Sequence, residues 1–296
     1  MNLRELGEDR LLRRVVPSLP QNRAVVAGAG DDCAVVRFGR DKKLLLLKTD
    51  CVVEGVHFTA DAKPRAVGWK AMARPLSDFA AMSGVPQFAL VTLIASPETS
   101  SRWITELYRG LAKAAEAFNV AIVGGETSRT DGPLSISVSM TGEVEADRWA
   151  SRSGGKADDE LFVTGRLGGS IRGKHLRFTP RVEEARWLTR HITIHAMMDL
   201  SDGIGADLPR LARASRLGYE LEITAVPRSQ GCSLEQAISD GEDYELLFAV
   251  PPNDVPALTA KWAKKFPKLR LTRIGRLISG PTSAKRKLPS GYVHFK

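Results

Sequence analysis

MMDLSDGIGADL (197–208) carries three signals in a row. AMMDL is a short apolar run of strand length. SDG is a turn. GIGADLPRLARASRLG (203–218) has the spacing of an amphipathic helix. A strand feeding a helix through an acidic turn is the unit of an α/β layer. The turn has two readings. Ser201 or Asp202 could simply cap the helix. Alternatively, Asp199, Ser201 and Asp202 could form an anion and metal site at the helix N-terminus.

Five further acidic motifs stand beside apolar runs: GAGDDCAVV (28–36), LLLLKTDCVVEGVHF (44–58), RPLSDFAAM (74–82), AIVGGETSR (121–129) and ISDGEDYELLF (238–248). One such motif is ordinary turn chemistry. Six in one chain supply the carboxylate oxygens that Mg²⁺ and its phosphate ligands require. Asp31 and Asp32 follow glycines and could belong to a tight turn. Thr49 and Asp50 close the LLLLK run as hard-cation ligands, with Glu54 and His57 beyond. Pro75 and Asp78 fit the first turn of a helix, or Asp78 is a metal ligand. In VGGETSR, Gly125 leaves backbone open to phosphate while Glu126 holds a cation. Glu242 and Asp243 enter a strand.

Around these motifs the pattern is mixed. Strands are expected near 33–37, 43–49, 87–95, 120–125 and 134–144. Helices are expected from Pro64 to about Met82, broken near Pro75, and over 98–118. The polar stretch EADRWASRSGGKADD (145–159) marks a domain boundary, giving domains 1–145 and 146–296. The second half holds strands at 159–165, 196–200, 219–224, 244–250 and 269–278. Its helices are at 181–191, 203–218, 233–239 and 253–266. The fold class is α/β, in the sense of α+β layers.

Composition limits the alternatives. The chain has 296 residues, net charge +9 and 43% hydrophobic residues. No apolar run is long enough to cross a membrane. Three cysteines without CxxC spacing argue against a disulfide or zinc scaffold and for a reducing cytoplasm. The basic clusters RDKK (40–43), KWAKKFPK (261–268) and AKRK (284–287) read as solvated surface rather than a nucleic-acid interface. GGSIRGKH (168–175) begins like a Walker A loop, but His175 replaces the hydroxyl residue and Pro180 soon follows, so it reads as a glycine-rich loop. No GxSxG, CxxC or HExxH motif points to a nucleophile or zinc.

GDDCA, TDCVVEGVHF, LSDFAAM, GGETSR, SRSG, DLSDGIGADL and GEDYELLF, in this order, resemble the thiamine-monophosphate kinases of the aminoimidazole-ribonucleotide-synthase-like superfamily. The resemblance spans the whole chain. It implies a two-domain fold, a homodimer paired through the N-terminal sheets, and transfer of phosphate from ATP to thiamine monophosphate, giving thiamine diphosphate. It implies several Mg²⁺ ions on Asp32, Thr49, Asp50, Asp78, Glu126, Asp199 and Asp202. ATP would touch Gly125, Glu126, Arg152 and Ser201, with Tyr108 of LYRGL. Thiamine monophosphate would touch His57 and Glu242. No nucleophile or general base is implied. The chain departs from the family pattern at Glu126, where Asp is usual, at Pro75, where Asn is usual, in a short 165–180 loop, and at Pro289, where a thiamine-stacking Trp is common. Two other readings stay open: the same ATP site with a different acceptor, or an inactive nucleotide-binding regulator.

Overall fold

The computed structural model describes residues 2–39, 42–281, 289, 291 and 292. The AKRK cluster and most of the LPSGYVHFK tail lie outside the described residues; of the tail, Pro289, Gly291 and Tyr292 are described.

The first half builds a sheet from β1 (Val25–Ala27), β2 (Ala34–Val36), β3 (Lys43–Val53), β4 (Val85–Ala95), β5 (Ala121–Arg129) and β6 (Ser135–Glu145), in the order β1-β2-β3-β6-β4-β5. Only β4 and β5 pair in parallel, joined by the crossover helix α4 (Ser101–Ala117). Two short helices, α1 (Leu3–Leu6) and α2 (Glu8–Val15), precede the sheet, and α3 (Pro64–Ala81) packs on it with α4. The second half builds an antiparallel sheet in the order β8-β10-β7-β11-β9. Its strands are β7 (Glu160–Thr164), β8 (Ala196–Asp199), β9 (Gly218–Leu221), β10 (Leu246–Val250) and β11 (Leu271–Ile278). The helices of this half are α5 (Val182–His191), α6 (Ile204–Ala214), α7 (Leu234–Ser239) and α8 (Val255–Lys265). The result is the expected two-domain α/β fold in its layered α+β form.

Helix α3 runs without a break through Pro75. The expected break fails because 13 of its 18 residues are buried, against α4 and the first sheet on one side and β8 and α5 of the second domain on the other. That packing outweighs the roughly 3 kcal/mol that an interior proline costs. The helix lies very close to α4. A Cβ on Gly68 would sit 2.1 Å from the Leu107 carbonyl oxygen, and one on Gly110 would sit 2.1 Å from that of Arg65.

Two strands also outrun their expected ends. β3 continues past Asp50 to Val53, in unbroken register with β6. β5 continues past its glycines to Arg129, paired with Ala95 of β4. Thr49, Asp50 and Glu126 therefore lie inside strands, where alternation decides which face each one serves. On β3 the even residues Leu44, Leu46, Lys48, Asp50 and Val52 share the α3 face. The opposite face is open: Leu47, Phe88, Leu90 and Val123 are 38–59% exposed. Among the described residues, no helix is long and apolar enough to cross a membrane.

Candidate active site

The two domains meet along a cleft of about 900 Å³. Three carboxylates converge at and just beneath its floor. Asp32 precedes β2, Asp78 lies in the last turn of α3, and Asp199 ends β8; all are buried, with oxygens within 4.8 Å of one another. At that spacing each like-charge pair costs about 3–4 kcal/mol at an effective dielectric near 20. Asp78 is also at the wrong end of its helix, where the macrodipole favours cations. Its placement in the last turn removes the helix-start role that the PLSD spacing suggested.

Cations from both domains hold this charge in part. Lys48 Nζ reaches Asp78 at 3.0 Å and Asp50 at 4.0 Å, and Arg74 lies 3.7 Å from Asp50. Arg152 pairs with Asp32 across the domain seam. Ser77 donates to Asp199 at 2.5 Å, also across the seam. The second carboxylate oxygen of Asp32 is buried with no hydrogen-bond partner. Compensation is thus incomplete, and the titration behaviour follows. Burial, then the charges of Asp50, Asp199 and Asp32 working against Lys48, push Asp78 well above the usual carboxylate range. Burial and the Asp32 charge push Asp199 up to about 7, against Ser77, Lys48 and Arg152. Asp50 is only partly buried; desolvation pulls its carboxyl up, but Lys48 and Arg74 outweigh it and hold Asp50 low.

The DLSD and GED motifs form the second wall. Asp199 pairs with Leu246 where β8 ends and β10 begins. Beyond that point Glu242 and Tyr244 donate backbone N–H groups to the carbonyls of Ser201 and Leu200. Neither Ser201 nor Asp202 caps α6. Its N-cap is Gly203, with no side-chain cap bond, and the Asp202 carboxylate is held by Arg210. The capping alternative therefore does not describe this turn. Ser201, Asp202 and Glu242 line the cleft, facing Asp50 and His57 from the first domain.

The sequence matches the family "AIR synthase related protein, N-terminal domain" over residues 30–144 and "AIR synthase related protein, C-terminal domain" over residues 139–286. A thiamine-monophosphate kinase of Rhodopirellula baltica is 39% identical over 96% of this chain and 95% of its own length. One from Aquifex aeolicus is 32% identical over the whole of both chains. The chain belongs to the thiamine-monophosphate kinase family. Its structure is similar to that of AaThiL complexed with AMPPCP and TMP, with a TM-score of 0.85 and 32% identity over 99% of each chain.

Of the residues singled out in the sequence, Asp50, His57, Asp78, Arg152, Asp199, Ser201, Asp202 and Glu242 line this cleft, and Asp32 lies behind Arg152. Thr49, Gly125, Glu126 and Tyr108 do not. Thr49 is on the open face of the sheet, bonded to Ser137 and Ser139. Glu126 pairs with Thr92 on that same face. Gly125 sits where a Cβ would come within 1.8 Å of the Val91 carbonyl oxygen. Tyr108 is half-buried against the first domain's core. The GGSIRGKH segment forms two 3₁₀ turns, and the N–H groups of Gly168 and Gly169 are taken by Asp243 and Asp240, so it is not a phosphate cradle.

Sequence reasoning missed Lys48, Lys70, Arg74, Ser77, Asp207 and Arg210. Lys70, Arg74, Ser77 and Asp78 lie at helical spacing, a signal visible once α3 is read as unbroken through Pro75.

Asp207 gives a pH test. It is fully buried on α6, accepts the Asp202 N–H and pairs with Arg210. Burial, then the Asp202 charge, raise it from 3.8 to about 8, against Arg210. The native carboxyl keeps a proton that the unfolded chain has already released. Its contribution to stability therefore falls as pH rises from 3.8 to about 8. Thermal melts in EDTA at pH 5, 6, 7 and 8 should show Asp207→Asn gaining on the unsubstituted protein at each step. A constant gap would refute the assignment.

Proposed function

We propose that this chain transfers the γ-phosphoryl group of ATP directly to the phosphate of thiamine monophosphate, giving thiamine diphosphate. One observation carries the reading: a buried, under-compensated cluster of Asp32, Asp78 and Asp199 at and just beneath the floor of a cleft lined by Arg74, Arg152 and Arg210, in a member of this kinase family. AaThiL, similar over 99% of both chains, was captured with AMPPCP and TMP.

The donor set suits Mg²⁺. Asp32, Asp78 and Asp199 offer hard oxygens, one of them orphaned, with Asp50 and Asp202 close by on the cleft wall. When bound, several such ions offset the repulsion between two polyanions and the charge that develops during transfer. Arg152 and Ser201 hold the nucleotide from the second domain. His57 and Glu242 face the acceptor, and Glu242 complements the cationic thiazolium ring. The acceptor phosphate is ionised near neutral pH, so no strong base is needed. Domains 1–145 and 146–296 each supply half of the site. The cytoplasm, where the free Cys33, Cys51 and Cys232 stay reduced, is the proposed compartment.

The working unit is a homodimer joined through the open faces of the first sheets. Leu47, Phe88, Leu90 and Val123 form an exposed apolar patch there, which water disfavours. Pairing encloses Thr49 and Glu126, so these two act at the dimer seam. Sedimentation equilibrium should give twice 32.3 kDa for the protein and 32.3 kDa for Leu90→Asp. A monomeric parent protein rules out this dimer.

Purified protein with ATP, Mg²⁺ and thiamine monophosphate should form thiamine diphosphate. Asp50→Asn and Asp202→Asn should each lower kcat by about 10²-fold or more with the fold intact, the scale of losing one preorganised charge contact. ATP binding without product would move the acceptor assignment to another phosphate or carboxylate. Near-normal turnover of either variant at low Mg²⁺ would remove that residue from the metal set.

A further inference from the structure

Lys70 is fully buried in the middle of α3. A buried ammonium is costly unless its charge and donors are satisfied, and an apolar residue in its place is often neutral or stabilising. Fold stability alone therefore gives little reason for a lysine here. Its partners are specific. Nζ lies 2.6 and 2.8 Å from the two carboxylate oxygens of Glu242 in the second domain, and donates to the His57 carbonyl oxygen at 2.6 Å in the first. Burial draws the ammonium down to about 8, against the pull of Glu242.

Both partners belong to segments that need holding. Glu242 and Tyr244 have φ of 53° and 50°. Such left-handed backbone is strained for residues other than glycine and persists only where its surroundings enforce it. The Glu242 side chain is 25% exposed and borders the cleft. His57 closes a turn in which its ring Nδ1 accepts the Val53 N–H.

We propose that Lys70 is a positioning residue for the acceptor, one buried ammonium that clamps the Glu242 carboxylate and the His57 turn together across the domain seam. This rests on the acceptor reading above. Lys70 itself touches no substrate. It fixes the distance between two groups that do, one from each domain, while the nucleotide contacts at Arg152 and Ser201 lie outside the clamp.

The test compares Lys70→Met, Glu242→Gln and the double variant. Thiamine monophosphate binding is measured by calorimetry with Mg·AMPPCP present, Mg·AMPPCP binding is measured alone, and hydrogen exchange is followed without ligand. Lys70→Met should weaken thiamine monophosphate about tenfold or more and change Mg·AMPPCP affinity less than about twofold. Once Lys70 is gone, Glu242→Gln should cost less than it does in the unsubstituted protein. Exchange should quicken in both 54–58 and 239–245. The proposal fails if folded Lys70→Met binds thiamine monophosphate normally, or if Glu242→Gln costs the same with and without Lys70. If Lys70→Met does not fold, the double variant, which leaves no buried charge unpaired, is compared with Glu242→Gln. Segment 54–58 must then exchange faster in the double variant, and equal exchange overturns the clamp. If the unsubstituted protein binds Mg·AMPPCP but not thiamine monophosphate, the acceptor reading falls, and the exchange comparison alone decides the clamp.

Discussion

Like charges forced together out of water govern this structure. Asp32, Asp50, Asp78 and Asp199 face Lys48, Arg74 and Arg152 at the domain seam. Four negative charges against three positive ones leave a buried deficit, visible in the upward shifts of Asp78 and Asp199 and in the unpartnered oxygen of Asp32. A protein selected only for stability would replace such a cluster with apolar side chains. Keeping it makes sense where a divalent cation is to be bound.

Helix α3 makes the arrangement possible. It packs against the first sheet and α4 and also against β8 and α5 of the second domain, so side chains along one helix address both halves of the molecule. Lys70 reaches Glu242, Arg74 reaches Asp50, Ser77 reaches Asp199, and Asp78 meets Lys48. The proposed acceptor end and the proposed metal end of the cleft are thereby set by one rigid element. The close approach at Gly68 and Gly110 fixes where that element sits.

Much of this was legible in the sequence. The element order, the layered fold and nine of the residues gathered at the cleft could be read from acidic motifs next to apolar runs. What escaped did so for identifiable reasons. Pro75 reads locally as a helix start, because the compensation for its lost hydrogen bond comes from tertiary burial. That error hid the Lys70–Arg74–Asp78 face and gave Asp78 the wrong end of the helix. Thr49 and Asp50 look like joint ligands in sequence, yet period-two alternation sends them to opposite faces of β3. Glu126 looks like a loop residue after two glycines, yet the ladder with β4 carries the strand through it. Lys48 was legible in principle, since it shares the Asp50 face.

The proposed site depends on the buried carboxylates holding the divalent ions that join nucleotide to acceptor. Mn²⁺ can stand in for Mg²⁺ at such oxygen sites. Electron paramagnetic resonance of the protein titrated with Mn²⁺ at saturating AMPPCP counts the bound ions directly. More than one Mn²⁺ per chain is expected, and fewer in Asp78→Asn. A single Mn²⁺ per nucleotide, with the same count in Asp78→Asn, would contradict the proposed site.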